Sequence, residues 1–157
     1  MQHVKDLFTN YVLMSVVFGW IAAQILKFCT GIFRIKKFSL TELFFGTGGM
    51  PSSHTAAVVG LTTACAMKFG LASYQVAISG VLAMIVMRDA MGMRRQVGEH
   101  AKALNIILKE LAEAKNDRVL TDKALGELVG HTPLQVFAGM IVGAAVGIGM
   151  YYIPVFI

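Results

Sequence analysis

Apolar residues along this chain gather into four runs. The first is YVLMSVVFGWIAAQILKF, residues 11–28, and the last is PLQVFAGMIVGAAVGIGMYYIPVFI, residues 133–157. A helix needs roughly 20 apolar residues to cross the hydrocarbon of a bilayer, so each of these predicts a span by itself. The middle two, TAAVVGLTTACAMKFG (55–70) and SYQVAISGVLAMIVM (73–87), are shorter and almost touch. They form either two spans joined by a tight turn or a hairpin that does not fully cross. A snorkelling Lys68 and the turn-compatible KFGLAS favour two spans. Residues 88–132 break the pattern. Within them, VGEHAKALNIILKELAEAK carries Ala101, Leu104, Ile107, Leu108 and Leu111 at helical spacing. That is an amphipathic helix, lying at the interface or on the bundle.

Small residues recur in the last three runs: Gly60, Ala64, Gly80, Gly139, Gly143 and Gly147. Inside lipid there is no hydrophobic drive between helices, and small side chains let backbones approach closely. All six read as helix-packing positions. No internal repeat or low-complexity segment is present.

Composition agrees with the pattern. The 157 residues are 56% hydrophobic and only 15% charged, too apolar for a soluble domain of this length. The net charge of +5 therefore reports topology and headgroup contact rather than nucleic acid. With four spans, the loops after the first and third share one side. Their flanks hold Lys27, Arg34, Lys36, Lys37, Arg88, Arg94, Arg95, Lys102, Lys109, Lys115, Arg118 and Lys123, leaving only Lys5 and Lys68 opposite. Positive charge stays inside, which predicts both basic loops in the cytoplasm and both termini outside. MQHVKDLFTN lacks the basic region, apolar core and cleavage site of a removable signal peptide. Cys29 and Cys65 have no metal or redox spacing and read as inert thiols. The prediction is an all-α polytopic membrane bundle of about four transmembrane helices with an amphipathic cytoplasmic helix, in one domain spanning residues 1–157.

Candidate chemistry sits at two helix mouths. In GGMPSSHTAAVVG (48–60), Pro51 precedes Ser52 and Ser53, either of which can cap the second span, and His54 follows in its first turn. In GHTPLQVFAG (130–139), Thr132 suits the N-cap, Pro133 the first helical position, and His131 stands just outside. Both mouths fall on the basic face. Helix N-termini offer N–H groups and a positive dipole end to an anion. A phosphate flanked by two imidazoles is the simplest guest. His3, near the terminus, and His100, in the amphipathic segment, read as ordinary.

PSSH resembles the Pro-Ser-Gly-His motif of the type 2 phosphatidic acid phosphatase superfamily, which includes vanadium-dependent haloperoxidases. GHTPLQVFAG resembles the end of its third motif. Lys27 and Arg34 have the spacing of its first motif, with Ile35 where Pro is expected. The order GGMPSSH, DAMGMRR, GHTP is most similar to a divergent branch of small bacterial membrane proteins in that superfamily, over most of the chain. The resemblance implies a metal-independent, cofactor-free hydrolase of lipid or polyprenyl phosphates in the bacterial inner membrane. His131 would attack phosphorus and form a phosphohistidine, and His54 would protonate the leaving alkoxide. Ser52, Ser53, Lys27, Arg34 and a further arginine would hold the phosphate oxygens.

The chain departs from that pattern at three positions. Ser53 replaces Gly. Leu125 stands where an Arg is expected, so Arg94 or Arg95 would have to substitute. Gln135 stands where a carboxylate would orient His131; its amide oxygen accepts a hydrogen bond but brings no charge. Asp89 either takes over that charge or pairs with a nearby arginine. Four spans are a small scaffold, and a homodimer would complete the enclosure. Two other readings stay open: a non-catalytic phosphate-headgroup binder for transport, flipping or sensing, and a structural subunit whose loop 88–132 docks a soluble partner.

Overall fold

The computed structural model describes residues 6–32, 49–115, 125 and 130–154. Among the described residues the helices lie in this order: α1 Tyr11–Ile32, α2 Ser53–Phe69, α3 Tyr74–Met91, α4 Met93–Lys115 and α5 Pro133–Tyr151. No strand occurs among the described residues.

Polar punctuation sets the helix ends. The Asn10 side chain accepts from the N–H groups of Val12 and Leu13 at 3.1 and 3.2 Å, which caps α1. Ser52 caps α2. Gly70 ends it with a left-handed φ of 81° and returns its N–H to the Ala66 carbonyl. Ser73 donates both its N–H and its hydroxyl to the Gly70 carbonyl, closing the turn that the KFGLAS run suggests. At the far end of α3, the Gly92 N–H bonds the Arg88 carbonyl at 2.8 Å. This turn separates α3 from α4.

The second apolar run becomes the centre of the bundle. Helix α2 packs against α1, α3 and α5. A Cβ added at Gly19 would sit 3.0 Å from the Ala56 carbonyl oxygen, and one at Gly60 would sit 3.0 Å from that of Ser15. As one helix ascends the other descends, so α1 and α2 are antiparallel. Against α5 the sense reverses. Gly139 faces Ser52, Gly143 faces Ala56, and Gly147 faces Thr63 and Gly60, so α2 and α5 run parallel. A Cβ at Gly139 would stand 2.5 Å from the Ser52 oxygen, and one at Gly143 would strike the Ala56 carbonyl. The stripe on α5 therefore does what small residues do inside lipid: it brings two backbones into contact. Gly80 does not. Nothing lies within 4 Å of its Cβ position, so α3 makes no close approach there among the described residues.

At the end opposite the PSSH segment, Tyr11, Ala64 and Met150 form a small buried cluster. The Tyr11 hydroxyl donates to the Gly147 carbonyl at 2.6 Å. That bond satisfies the phenol inside the bundle and ties α1 to α5. Large apolar side chains such as Ile25, Ile78, Val81 and Ile141 are exposed. Among the described residues, three stretches are long and apolar enough to cross a membrane: Tyr11–Thr30, Tyr74–Ala114 (which begins with α3) and Pro133–Tyr151. The fourth predicted span, α2, has 17 residues. It is the element the other three enclose.

The amphipathic helix forms as α4 and packs chiefly against α3. Ala101 and Ala112 are buried, whereas Leu104, Ile107 and Leu111 remain exposed.

Candidate active site

Two loops of similar build bring the histidines in. Gly49 and Gly130 both have φ of +96°, a conformation that costs glycine little and other residues much. Each turns the chain into a short segment that enters a helix: MPSSH after Gly49, HTP after Gly130. The first loop rests on α1. A Cβ at Gly49 would lie 3.1 Å from Lys27 Cγ, and the Thr30 hydroxyl donates to the Met50 carbonyl at 2.6 Å. The second loop rests on α3, where the His131 N–H bonds the Ala90 carbonyl at 2.9 Å. Ala90 lies in the last turn of α3, where carbonyls lack partners within the helix.

The two loops also hold each other. The Ser52 N–H donates to the Gln135 carbonyl at 3.0 Å. Ser52 is fully buried, and its hydroxyl accepts from the Thr55 hydroxyl at 3.0 Å. Together with the Gly139 contact below, this fixes the start of α2 to the first turn of α5.

His54, Asp89 and His131 consequently line one cavity of about 230 Å³, together with Ile85, Val86, Ala90 and Gly130. His54 enters from the first turn of α2, Asp89 from the end of α3, and His131 from just before α5. His131 is buried, at 5% exposure, and His54 is exposed.

Gln135 occupies the orienting position for His131. Its side-chain oxygen accepts from the Thr132 N–H at 2.9 Å, and the Thr132 hydroxyl accepts from the Gln135 N–H at 3.4 Å. This reciprocal pair is a capping box. The same oxygen lies 3.2 Å from His131 Nδ1. Because the Thr132 N–H identifies that atom as the acceptor, His131 Nδ1 must be the donor. The ring is thus held as the Nδ1–H tautomer, with its lone pair on Nε2.

The other sequence-predicted residues divide. Ser52 and Ser53 are buried behind His54 and do not line the cavity. Lys27 is buried at the end of α1 with its stem against Gly49. Arg95 is exposed on α4 and lines neither this cavity nor the groove beside it. Arg34 and the Arg94 side chain fall outside the described residues. Leu125 is held by Asn105, whose amide donates to its carbonyl at 2.9 Å and accepts from its N–H at 2.8 Å. Among the described residues, Arg88, next in sequence to Asp89, is an arginine near the cavity; it lines the neighbouring groove. Sequence reasoning counted Arg88 only as topology. Its position at the edge of the third apolar run was the available signal. Cys29 is exposed and Cys65 buried, both as free thiols.

Comparison with known proteins matches the sequence to a family. A sequence model described as the divergent PAP2 family matches residues 8–146, from before α1 almost to the end of α5. The chain belongs to the divergent PAP2 family. It is also 37% identical over 155 residues to the uncharacterized membrane protein YuiD of Bacillus subtilis, covering 94% of this chain and 98% of that protein. No solved structure matches. Membership in the divergent PAP2 family, the membrane-protein relative and the apolar helices together make this a membrane protein of PAP2-like type.

Proposed function

We propose that this divergent PAP2 protein is an integral membrane phosphatase. It would hydrolyse a lipid or polyprenyl phosphate monoester or diphosphate at the cytoplasmic face of the bacterial inner membrane. The observation that carries this reading is the single cavity shared by His54, Asp89 and His131. Two imidazoles and a carboxylate, from the start of α2, the segment before α5 and the end of α3, suit in-line displacement at phosphorus.

The steps follow from the tautomer. His131 Nε2 attacks phosphorus as the bond to the lipid oxygen breaks, giving a phosphohistidine. His54, protonated, delivers its proton to the departing alkoxide. Water then attacks the phosphohistidine while neutral His54 accepts its proton, and inorganic phosphate leaves. The Gln135 oxygen holds the Nδ1–H throughout. Asp89, in the same cavity, supplies the negative charge that Gln135 lacks and stabilises the imidazolium forms. Buried Lys27, whose stem lies against Gly49, and Arg88, next in sequence to Asp89, would attract the phosphate oxygens.

A second reading has its own support. Gln135 is uncharged, and Leu125 stands where the resembled motif has arginine. A non-catalytic headgroup binder would tolerate both. Phosphate release from long-chain lipid phosphates by the purified protein decides between the two. The phosphatase reading expects release that disappears in His131→Ala with the fold intact. Unchanged turnover in that variant would remove His131 from the mechanism. Binding without release would favour the second reading.

A further inference from the structure

Helix α4 carries two apolar stripes, and only one of them is covered. At 3.6 residues per turn, Gly98, Ala101, Asn105, Leu108 and Ala112 fall on one arc of about 80°. Gly98, Ala101 and Ala112 are buried there, and Asn105 and Leu108 are half-buried. The adjoining arc, also about 80° wide, holds Met93, Val97, His100, Leu104, Ile107 and Leu111. All six are exposed, Met93 by 67% and Ile107 by 58%. Arg95, Glu99, Lys102, Lys109, Glu110 and Glu113 lie on the far side, bases and acids in equal number. Ile106, also exposed, is the apolar exception among them.

Place, direction and charge together say what covers the open stripe. Gly92 alone separates α4 from α3, and two residues of chain reach no further than about 7 Å. Helix α3 opens a candidate membrane span, Tyr74–Ala114, that runs on through α4. The stripe therefore starts where α3 leaves the bilayer. At Gly92, φ of −100° and ψ of −92° depart from helical values, so the axis of α4 turns away from that of α3. A helix partner, a second copy included, is selected through charged pairs that flank the seam. On α4 one flank of the stripe is Ala101 and Leu108, and the other is Gln96, Ala103 and Glu110. A bilayer needs no such pairs. It takes an apolar stripe on a helix whose other side is charged. His100 fits this setting too, because imidazole has an apolar body and a polar tip.

We propose that α4 lies in the plane of the membrane at the histidine end of the bundle. Met93, Val97, Leu104, Ile107 and Leu111 sink into the boundary between headgroups and acyl chains. The partner is the bilayer itself, and a zwitterionic one suffices: acids and bases balance on the outer side, and apolar burial drives the insertion. Insertion uses up the apolar stripe that a soluble partner would need on α4. None of this depends on the phosphatase reading.

The experiment uses full-length protein in phosphatidylcholine nanodiscs, with Cys29 and Cys65 replaced. Single cysteines, from Met93→Cys to Leu111→Cys, carry a spin label. Its accessibility to oxygen, which concentrates in hydrocarbon, is compared with its accessibility to a water-soluble nickel chelate. The expected result is a preference for oxygen that oscillates with a period of about 3.6 residues. It peaks at Val97, Leu104 and Ile107 and is lost at Lys102 and Lys109. Adding phosphatidylglycerol leaves the pattern unchanged. Leu104→Glu with Ile107→Glu abolishes the preference at Leu111→Cys. A label at Ile141→Cys, on an exposed position of α5, keeps its own preference in that variant and shows that the bundle is folded. Stripe labels that prefer the nickel chelate, or prefer oxygen only in anionic lipid, overturn the proposal. Stripe labels shielded from both reagents overturn it as well; spin–spin broadening would then identify a second copy as the cover.

Discussion

Gln135 is the residue on which the proposed chemistry turns. One oxygen serves the Thr132 N–H and His131 Nδ1 together, so a single side chain caps α5 and selects the tautomer of His131. Gln135→Ala should therefore show two effects. Losing a cap costs about 1 kcal/mol, readable by unfolding in micelles. Losing the tautomer should lower kcat for lipid-phosphate hydrolysis about a hundredfold or more. Gln135→Asp keeps the acceptor and adds charge, so its kcat should equal or exceed that of the parent. Asp89→Asn separates the two readings of Asp89. If Asp89 stabilises the imidazolium forms, kcat falls at least about tenfold with stability little changed. A stability loss with normal kcat would assign it to a structural ion pair instead. The double duty of Gln135 was not legible in the sequence. Read as a substitution for a carboxylate, it signalled an acceptor that brings no charge; its bond to the backbone of Thr132 supplies the rest of its meaning.

At the scale of elements, the α2–α5 contact determines whether the two histidines meet. Gly143→Ala pushes a methyl into the Ala56 carbonyl, a backbone atom that cannot swing aside. Overpacking of this kind costs about 1–3 kcal/mol. It should also lower activity with both histidines intact, since it spreads the helices that carry them. Gly80→Ala meets open space and should be neutral or stabilise α3 by up to about 1 kcal/mol. Unfolding midpoints of the two variants check this directly; equal effects would mean that the stripe is not the contact. The sequence showed small residues in three runs but not which of them face a neighbour. Helix mouths were far more legible, because Ser52, Thr132 and Pro133 announce themselves by local chemistry. The arginines were not. The turn at Gly92 starts a new helix, and Arg95 on it lies outside both hollows while Arg88, before the turn, lines one. A turn angle of this kind has no sequence signature.

For the whole molecule, the helix directions bring His54, Asp89 and His131 to one face. Helices α1 and α3 end at it, and α2 and α5 begin there. The distribution of lysine and arginine expects that face in the cytoplasm. Single-cysteine variants test the orientation, in a background with Cys29 and Cys65 replaced. In intact cells, Leu71→Cys in the α2–α3 turn, 82% exposed, should react with an impermeant maleimide. Arg95→Cys should react only after permeabilisation. The opposite pattern would invert the topology. The account as a whole rests on two imidazoles acting on one phosphorus, and trapping the intermediate tests that most directly. Rapid acid-free quenching of the protein with a radiolabelled long-chain lipid phosphate should yield an acid-labile phosphoryl group mapped to His131 and absent from His131→Ala. Lipid phosphate hydrolysed with no label on His131, or with the label on another residue, would contradict the account.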